Sequence, residues 1–176
     1  MKKIFAVILV VSLLMVAACA FAATSSPSQS TKTTATTPTT TPATDVTTVP
    51  LSDGANDLIK EMDEAVESGK PAASVLPEDI ASQLGDDAVA SEAVGLVADG
   101  TKPVDAEFSF PTKYDADTNL VALITCFDAN KAITDQFVIP ATVLPNGKVK
   151  VHFTKEVLEA MEAADSTSMI VFEKKS

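Results

Sequence analysis

The sequence predicts a mainly β protein: an antiparallel sandwich of about five to six strands with a short helical crossover, preceded by one or two short helices. Short stretches that alternate apolar and polar residues recur after residue 102, with turn residues between them. Apolar residues at helical spacing occur before these stretches and once between two of them. Strands at short spacing joined by turns favour an antiparallel sheet. An α+β fold is the alternative.

Residues 1–22 have the pattern of an export signal. Met1–Lys3 is basic, Ile4–Val16 is apolar except for Ser12, and a cluster of alanines follows. These features are typical of a secretory signal peptide, so we expect an extracytoplasmic protein, secreted or associated with the cell envelope. A membrane-spanning helix is the alternative, because the apolar stretch is long enough for one.

Two processing sites compete within this segment. Ala20-Phe21-Ala22 fits the A-x-A rule and predicts cleavage after Ala22. The stretch from Val16 to Cys19 resembles the lipobox of bacterial lipoproteins, which implies acylation of Cys19 and a lipid anchor there. Simple cleavage is favoured, because Val stands where Leu is commoner and the bulky Phe21 follows Cys19 closely.

Residues 23–50 are predicted to be a disordered linker. They are mostly Ser, Thr and Pro, and apart from Val46 and Val49 no apolar side chain is larger than that of Ala. Such a segment buries too little apolar surface to offset the entropy lost on ordering. We expect a spacer that holds the domain away from a membrane or wall and that accepts O-glycans, or else a tail without a role.

Residues 51–101 are predicted to form a helical preface. A helix is expected over Asn56–Ser68, with Asp53 as its N-cap and Gly69 at its end. Its acidic face is expected to be solvated surface rather than a site. That face carries Glu61, Asp63, Glu64 and Glu67.

The rest of the preface is less uniform. A second, short helix is expected from Leu76 to Gly85, with Pro77 at its first helical position. The stretch Ala88–Val97 fits either a helix or a strand. The preface and the β-rich unit are expected to pack as one domain, because roughly 125 residues suffice for one core.

Residues 102–176 are predicted to be the β-rich unit. Val104–Phe110 alternates apolar and polar residues, as a half-buried strand does. Leu120–Phe127 is almost wholly apolar and predicts a buried central strand. Ile133–Val143 predicts a strand with an edge or a bulge at Pro140, which has no N–H to donate.

The end of the chain predicts a hairpin, a helix and a closing strand. Asn146-Gly147 marks the hairpin turn, Thr154 is the expected cap of the helix, and Met169–Phe172 is the closing strand. This run resembles the last strands of Ig-like modules in exported bacterial proteins, where a helical turn often links two late strands. The resemblance covers residues 102–174 and implies an Ig-like sandwich, without indicating an activity.

The net charge of −11 argues against nucleic acid and against an anionic membrane surface as partners. All 13 basic residues are lysines, against 24 acids, and phosphate recognition usually uses arginine. One local exception is conceivable. Lys148, Lys150 and His152 share a strand face, and they would form a basic patch with Lys174 and Lys175 if the two strands were neighbours.

Reactive side chains are scarce. His152 is the only imidazole, and it is expected on a strand surface, so no zinc set or catalytic triad can be assembled without it. Cys126 lies in the apolar strand, where we expect an unreactive thiol and no intramolecular disulfide.

One short stretch matches the start of a calcium loop at Asp115, Asp117 and Asn119. It then fails, because Leu120 stands where Gly is needed and Cys126 where a bidentate Glu is needed. A polar turn is therefore expected. We predict no catalytic residue, no cofactor and no metal site.

The sequence therefore favours an exported, non-catalytic structural or binding module displayed on a flexible spacer, whose partner is a protein or a cell-wall polymer. The alternative is a small-ligand or cation-binding envelope protein that uses its acidic loops. A hydrolase is the third choice. Carboxylate pairs for one are abundant, but sugar sites usually need aromatic platforms, and the chain has no Trp and one Tyr.

Overall fold

The computed structural model describes residues 34–35, 39–40 and 46–175. The predicted signal peptide and Cys19 lie outside the described residues. A 3-10 turn at Ala72–Val75 follows the first helix. In chain order, the strands and α-helices are β1 Thr34–Ala35, β2 Thr39–Thr40, β3 Val46–Val49, α1 Asp53–Glu67, α2 Glu78–Leu84, β4 Val89–Ala98, β5 Val104–Ser109, β6 Leu120–Phe127, β7 Ile133–Val143, β8 Val149–Phe153, α3 Lys155–Ala163 and β9 Ser166–Glu173.

The described strands belong to one sheet. Their order is β1-β4-β9-β6-β7-β8-β5-β2, and β3 also pairs with β4. The pairing of β1 with β4 is parallel, and the other pairings are antiparallel. The predicted mainly β, antiparallel class is therefore confirmed. The strands form one barrel-like sheet, whereas the sequence predicted a sandwich, which has two.

Strand β7 joins the two halves of this sheet. Its residues Ile133–Ala141 pair with β6, and Ala141–Val143 pair with β8. Pro140 stands where the pairing with β8 ends, and proline has no N–H with which to extend that ladder. Of the edge or bulge that the sequence predicted at Pro140, the structure has the edge. The register shift in the pairing of β6 with β7 lies instead at Cys126/Phe127. Pro140 marks the point at which β7 loses its second neighbour.

Two hydrophobic cores pack on opposite faces of the sheet. The inner core includes Phe108, Ile124, Phe153 and Met169, with Leu158 from helix α3 packed among them. The outer core lies between the sheet and helices α1 and α2. Its largest buried members are Met62, Leu84, Leu123, Phe127 and Phe172.

Because β6 contributes to both cores, its two faces are buried, which explains its almost continuous apolar sequence. The prediction of a buried central strand is confirmed. The preface and the β-rich unit share the outer core, and the ambiguous stretch Ala88–Val97 proves to be strand β4.

The capping residues differ in part from those expected. Ser52, not Asp53, caps α1, and its Oγ accepts from the N–H of Ala55 at 3.3 Å. Pro77 likewise precedes α2 as its N-cap rather than beginning it. Thr154 caps α3 as predicted, and its Oγ1 accepts from the N–H of Val157 at 3.4 Å.

Strand β3 lies inside the stretch that the sequence assigned to the linker. Val46–Val49 pairs with the second half of β4, and Val46 is fully buried in the inner core. The two valines are the only large apolar side chains of that stretch, and β4 provides a sheet edge for them. The sheet therefore includes residues that the sequence assigned to the linker.

Candidate functional site

The predicted basic face of β8 is neutralised by acids on β5. Lys148 Nζ lies 3.2 Å from Glu107 Oε2, and Lys150 Nζ lies 3.6 Å from Asp105 Oδ2. His152 Nδ1 lies 2.7 Å from Asp105 Oδ1. The hydrogen bond from His152 is the largest of the effects that hold the pKa of Asp105 below its usual value. Desolvation, the next largest, opposes it, and the charge of Lys150 adds to the lowering. This surface therefore offers little free positive charge.

The basic patch that required β8 and β9 to be neighbours does not form. Strands β6 and β7 separate them in the sheet. Lys174 is held elsewhere, because its N–H donates to the carbonyl of Asn119 at 2.8 Å and its Nζ donates to the carbonyl of Gln83 at 3.0 Å. That hypothesis is wrong because strand order, which the sequence does not reveal, keeps the lysines apart.

Cys126 and His152 are not brought together. Cys126 is fully buried in β6, and β7 lies between β6 and β8. Burial raises the pKa of the Cys126 thiol, although the hydroxyl of Thr167, which donates to Sγ at 3.8 Å, acts in the opposite direction. A thiol in this setting is a poor nucleophile at neutral pH.

The calcium-like stretch forms a turn. The N–H of Thr118 donates to the carbonyl of Asp115 at 3.0 Å, and the carbonyl of Asn119 accepts from the backbone of Lys174. Across the residues that the structure describes, no three or more His, Cys, Asp or Glu side chains are grouped so that they could hold a metal ion.

The sequence did not predict a polar cluster formed by Ser91, Glu92, Thr112 and Tyr114. Tyr114 is buried, and its hydroxyl lies 2.7 Å from Ser91 Oγ. Ser91 donates to the carbonyl of Val171 at 3.1 Å, so its oxygen accepts from Tyr114. Burial raises the pKa of Tyr114 to about 12. Nearby, buried Glu92 accepts from the N–H of Thr112 at 3.0 Å.

A bulge in β4 shapes this cluster. Ser91 lies at a register shift in the pairing of β4 with β9. Ala90, before it, packs in the outer core, and Glu92, after it, accepts from the N–H of Thr112. The bulge could not be predicted, but two signals in the sequence pointed to the cluster. Glu92 stands in an otherwise small and apolar stretch, and the only tyrosine lies in a turn just before a buried strand.

The first part of β7 has a described strand on one side only. Residues Ile133–Ile139, which we call the open edge, pair with β6 on one side, and no described strand pairs with them on the other. Ile133 is 43% exposed, one of two large apolar side chains with such exposure among the described residues. Phe137 and Ile139 pack against the inner core but are only partly buried. The open edge thus combines free backbone groups with apolar side chains.

The surroundings of the open edge are acidic. Asp135 lies on it, and Asp128 lies in the turn before it. Lys131, in the same turn, is already paired with two acids of helix α1, at 3.4 Å from Asp53 and 3.5 Å from Asp57. The next lysine along the chain is Lys148, which pairs with Glu107. A basic partner would therefore meet acids here.

Comparisons of this chain with family models, with curated proteins and with solved structures return no match. No helix within residues 46–175 is both long and apolar enough to cross a lipid bilayer. We take the open edge of β7 as the candidate site, because its backbone has a described neighbour on one side only.

Proposed function

We propose that this chain is an exported protein, secreted or held at the cell envelope, and that it is a non-catalytic binding module carried on a Ser/Thr/Pro-rich spacer. Its binding element is the open edge of β7. The observation that carries the proposal is the loss of the second neighbour of β7 at Pro140. An unpaired strand edge is a template for an added strand, and such addition is a common mode of peptide recognition.

The partner that fits this edge is an extended, lysine- or arginine-bearing polypeptide segment. Its main chain would pair with the free backbone groups of Ile133–Ile139, and alternate side chains would contact Phe137 and Ile139. The net charge of −11 and the position of Asp135 favour a basic segment and speed its encounter with the domain. A second copy of this acidic chain is disfavoured, because like charges repel.

The sequence of the edge also supports this use. Proteins commonly protect exposed edges with lysine, with proline or with irregular pairing. Here no lysine occurs between Lys131 and Lys148, and Pro140 lies beyond the open edge rather than within it. The open edge carries one charged side chain, Asp135, and the exposed Ile133. Such an edge is suited to being covered by a bound polypeptide segment.

A synthetic peptide provides the test. The hexapeptide Lys-Val-Lys-Val-His-Phe copies Lys148–Phe153, whose strand already pairs with the end of β7. We expect it to bind the domain in fluorescence anisotropy titrations. The same peptide with proline in place of its second lysine should bind at least about ten-fold more weakly, because it lacks a backbone donor.

Two matched variants locate the binding. Ile133→Lys places a repelling charge at the open edge, whereas Val97→Lys makes a similar change at the other large exposed apolar residue, 50% exposed on β4. We expect weaker binding for Ile133→Lys only. Equal affinities for the two variants, or no binding by the unsubstituted domain, would contradict the proposal.

Export is tested separately by the intact mass of the protein recovered from its native cells. A mass beginning at Ala23 supports simple cleavage, and a mass beginning at an acylated Cys19 supports a lipid anchor. Added hexose units would identify glycans on the spacer. A mass that still includes Met1–Ala22 would contradict processing of the export signal.

A further inference from the structure

A cavity of about 340 Å³ is lined in part by the start of β4, which β9 and β6 separate from β7 in the sheet. It lies between the end of helix α1, the turn before β4 and the chain that follows β9. Its volume is near the lower end of the range of about 300–1,000 Å³ that is usual for small-molecule sites. Three buried alanines, Ala72, Ala88 and Ala90, form an apolar floor.

The rim of this cavity carries charges of both signs: Lys70, Asp86, Asp87 and Lys175. None of the four takes part in the ion pairs found among residues 46–175. Their side chains also make no hydrogen bond within that part of the chain. Four charged side chains, two of each sign, therefore line this cavity without an ion pair or a side-chain hydrogen bond among residues 46–175.

The backbone beneath the two lysines is held in place. The N–H of Gly69, at φ 76°, donates to the carbonyl of Val66 at 2.9 Å, and the N–H of Lys70 donates to that of Ala65 at 2.9 Å. These bonds end helix α1 in a defined way. Lys175 directly follows Lys174, which two hydrogen bonds hold.

The two acids also extend from a defined turn. Gly85, at φ 91°, ends helix α2, and its carbonyl accepts from the N–H of Ala88 at 3.3 Å. Asp86 and Asp87 lie between these two residues. The charged groups therefore start from ordered backbone, so that less entropy is lost when a ligand binds.

We propose that this cavity binds a small zwitterion with an apolar side chain, such as a free hydrophobic amino acid or a dipeptide. Asp86 and Asp87 would hold its ammonium group, and Lys70 and Lys175 its carboxylate, through charge-assisted hydrogen bonds. The alanine floor leaves room for the apolar side chain. A ligand with one charge alone is attracted by one pair of rim groups and repelled by the other. This site is independent of the open edge and extends beyond the proposed function.

The probes are the dipeptide Leu-Leu and its capped forms, N-acetyl-Leu-Leu and Leu-Leu-amide. Binding is followed by NMR on the methyl groups of Ala72, Ala88 and Ala90 in the full chain. We expect Leu-Leu to shift these methyl resonances in a saturable way. Each cap removes one charge of the zwitterion, so each capped form should bind at least about ten-fold more weakly.

Variants at exposed positions complete the test without disturbing the fold. Lys70→Ala and Asp87→Asn should weaken Leu-Leu binding about ten-fold, while the controls Lys102→Ala and Asp99→Asn, away from the cavity, should not. The proposal is overturned if Leu-Leu leaves the three alanine methyl groups unshifted. It is also overturned if a capped form binds as tightly as Leu-Leu, or if the rim variants bind like their controls.

Discussion

The backbone carbonyl oxygen of Pro50 lies over Gly95 so closely that no Cβ atom fits between them. A Cβ on Gly95 would also lie 2.8 Å from the carbonyl oxygen of Val49. The chain leaves β3 at this point and crosses β4 to enter helix α1. Gly95 therefore allows the segment before the domain to dock on the sheet, and a larger residue must displace backbone rather than a flexible side chain.

We expect Gly95→Ala to lower the free energy of unfolding by about 1–3 kcal/mol, the usual cost of overpacking. Denaturant titration measures this change. Val97→Ala, on the same strand but exposed, is the control and should cost within about 0.5 kcal/mol. Wild-type stability for Gly95→Ala would mean that Val49 and Pro50 do not rest on β4.

The outer core provides a second prediction. Leu123, on β6, is fully buried in the outer core. Leu123→Ala should therefore destabilise the domain by about 2–5 kcal/mol through lost burial and a residual cavity. Leu51→Ala removes the same atoms from a partly buried position at the border of this core and should cost less. Equal costs in chemical denaturation would place Leu123 outside the core.

The single tyrosine makes the buried contact between Tyr114 and Ser91 measurable. With one Tyr and no Trp in the chain, ultraviolet absorbance follows the ionisation of Tyr114 alone. We expect ionisation near pH 12 in the folded protein and near pH 10 after unfolding in guanidinium. Because the folded pKa is raised, the stability from neutral Tyr114 is complete below about pH 10. As the pH rises toward 12, this contribution to the free energy of unfolding, about 2–3 kcal/mol, is lost. Folded-state ionisation near pH 10 would contradict burial of the ring.

The pairing of β5 with β8 predicts a pH effect in acid. The pKa of Asp105 is lowered from 3.8, and the hydrogen bond to His152 is the largest cause of the lowering. A lowered pKa stabilises the fold above the unfolded value, near pH 4, and this contribution is lost as the pH falls through the folded pKa. In His152→Ala, carboxyl NMR should show the pKa of Asp105 moving up toward 3.8.

Lys155→Ala, which alters a lysine paired with Glu159 on helix α3, is the control for this titration and should leave the pKa of Asp105 unchanged. An unchanged pKa in His152→Ala would mean that the contact between Asp105 and His152 does not persist in solution.

The sequence predicted the elements whose signals are local. The Asn146-Gly147 turn forms as expected, with Gly147 at φ 78° and Asn146 Oδ1 accepting from the N–H of Lys148 at 3.0 Å. The Thr154 cap lies within one helical turn of its partner, and the apolar run of β6 reflects burial on two faces. In each case the signal lies within a short stretch of chain, because the interacting residues are close in sequence or the apolar run itself indicates burial.

The features that the sequence did not predict depend on contacts between distant residues. Val46–Val49 becomes a strand because β4, some fifty residues later, offers it an edge. The basic face of β8 is neutralised because β5 is its neighbour, and the open edge exists because β8 departs at Pro140. All three features depend on the order of the strands in the sheet. The alternation of apolar and polar residues along a strand does not specify which strand becomes its neighbour.

Hydrogen exchange at β7 tests the central claim, that its open edge accepts an added strand. In the free domain, amides of Ile133–Ile139 that point away from β6 should exchange rapidly, while amides of Ala141–Val143 that face β8 are protected. Saturation with Lys-Val-Lys-Val-His-Phe should protect the first group and leave the second unchanged. Protection throughout Ile133–Ile139 in the free monomer, or no added protection with the peptide, would contradict the account.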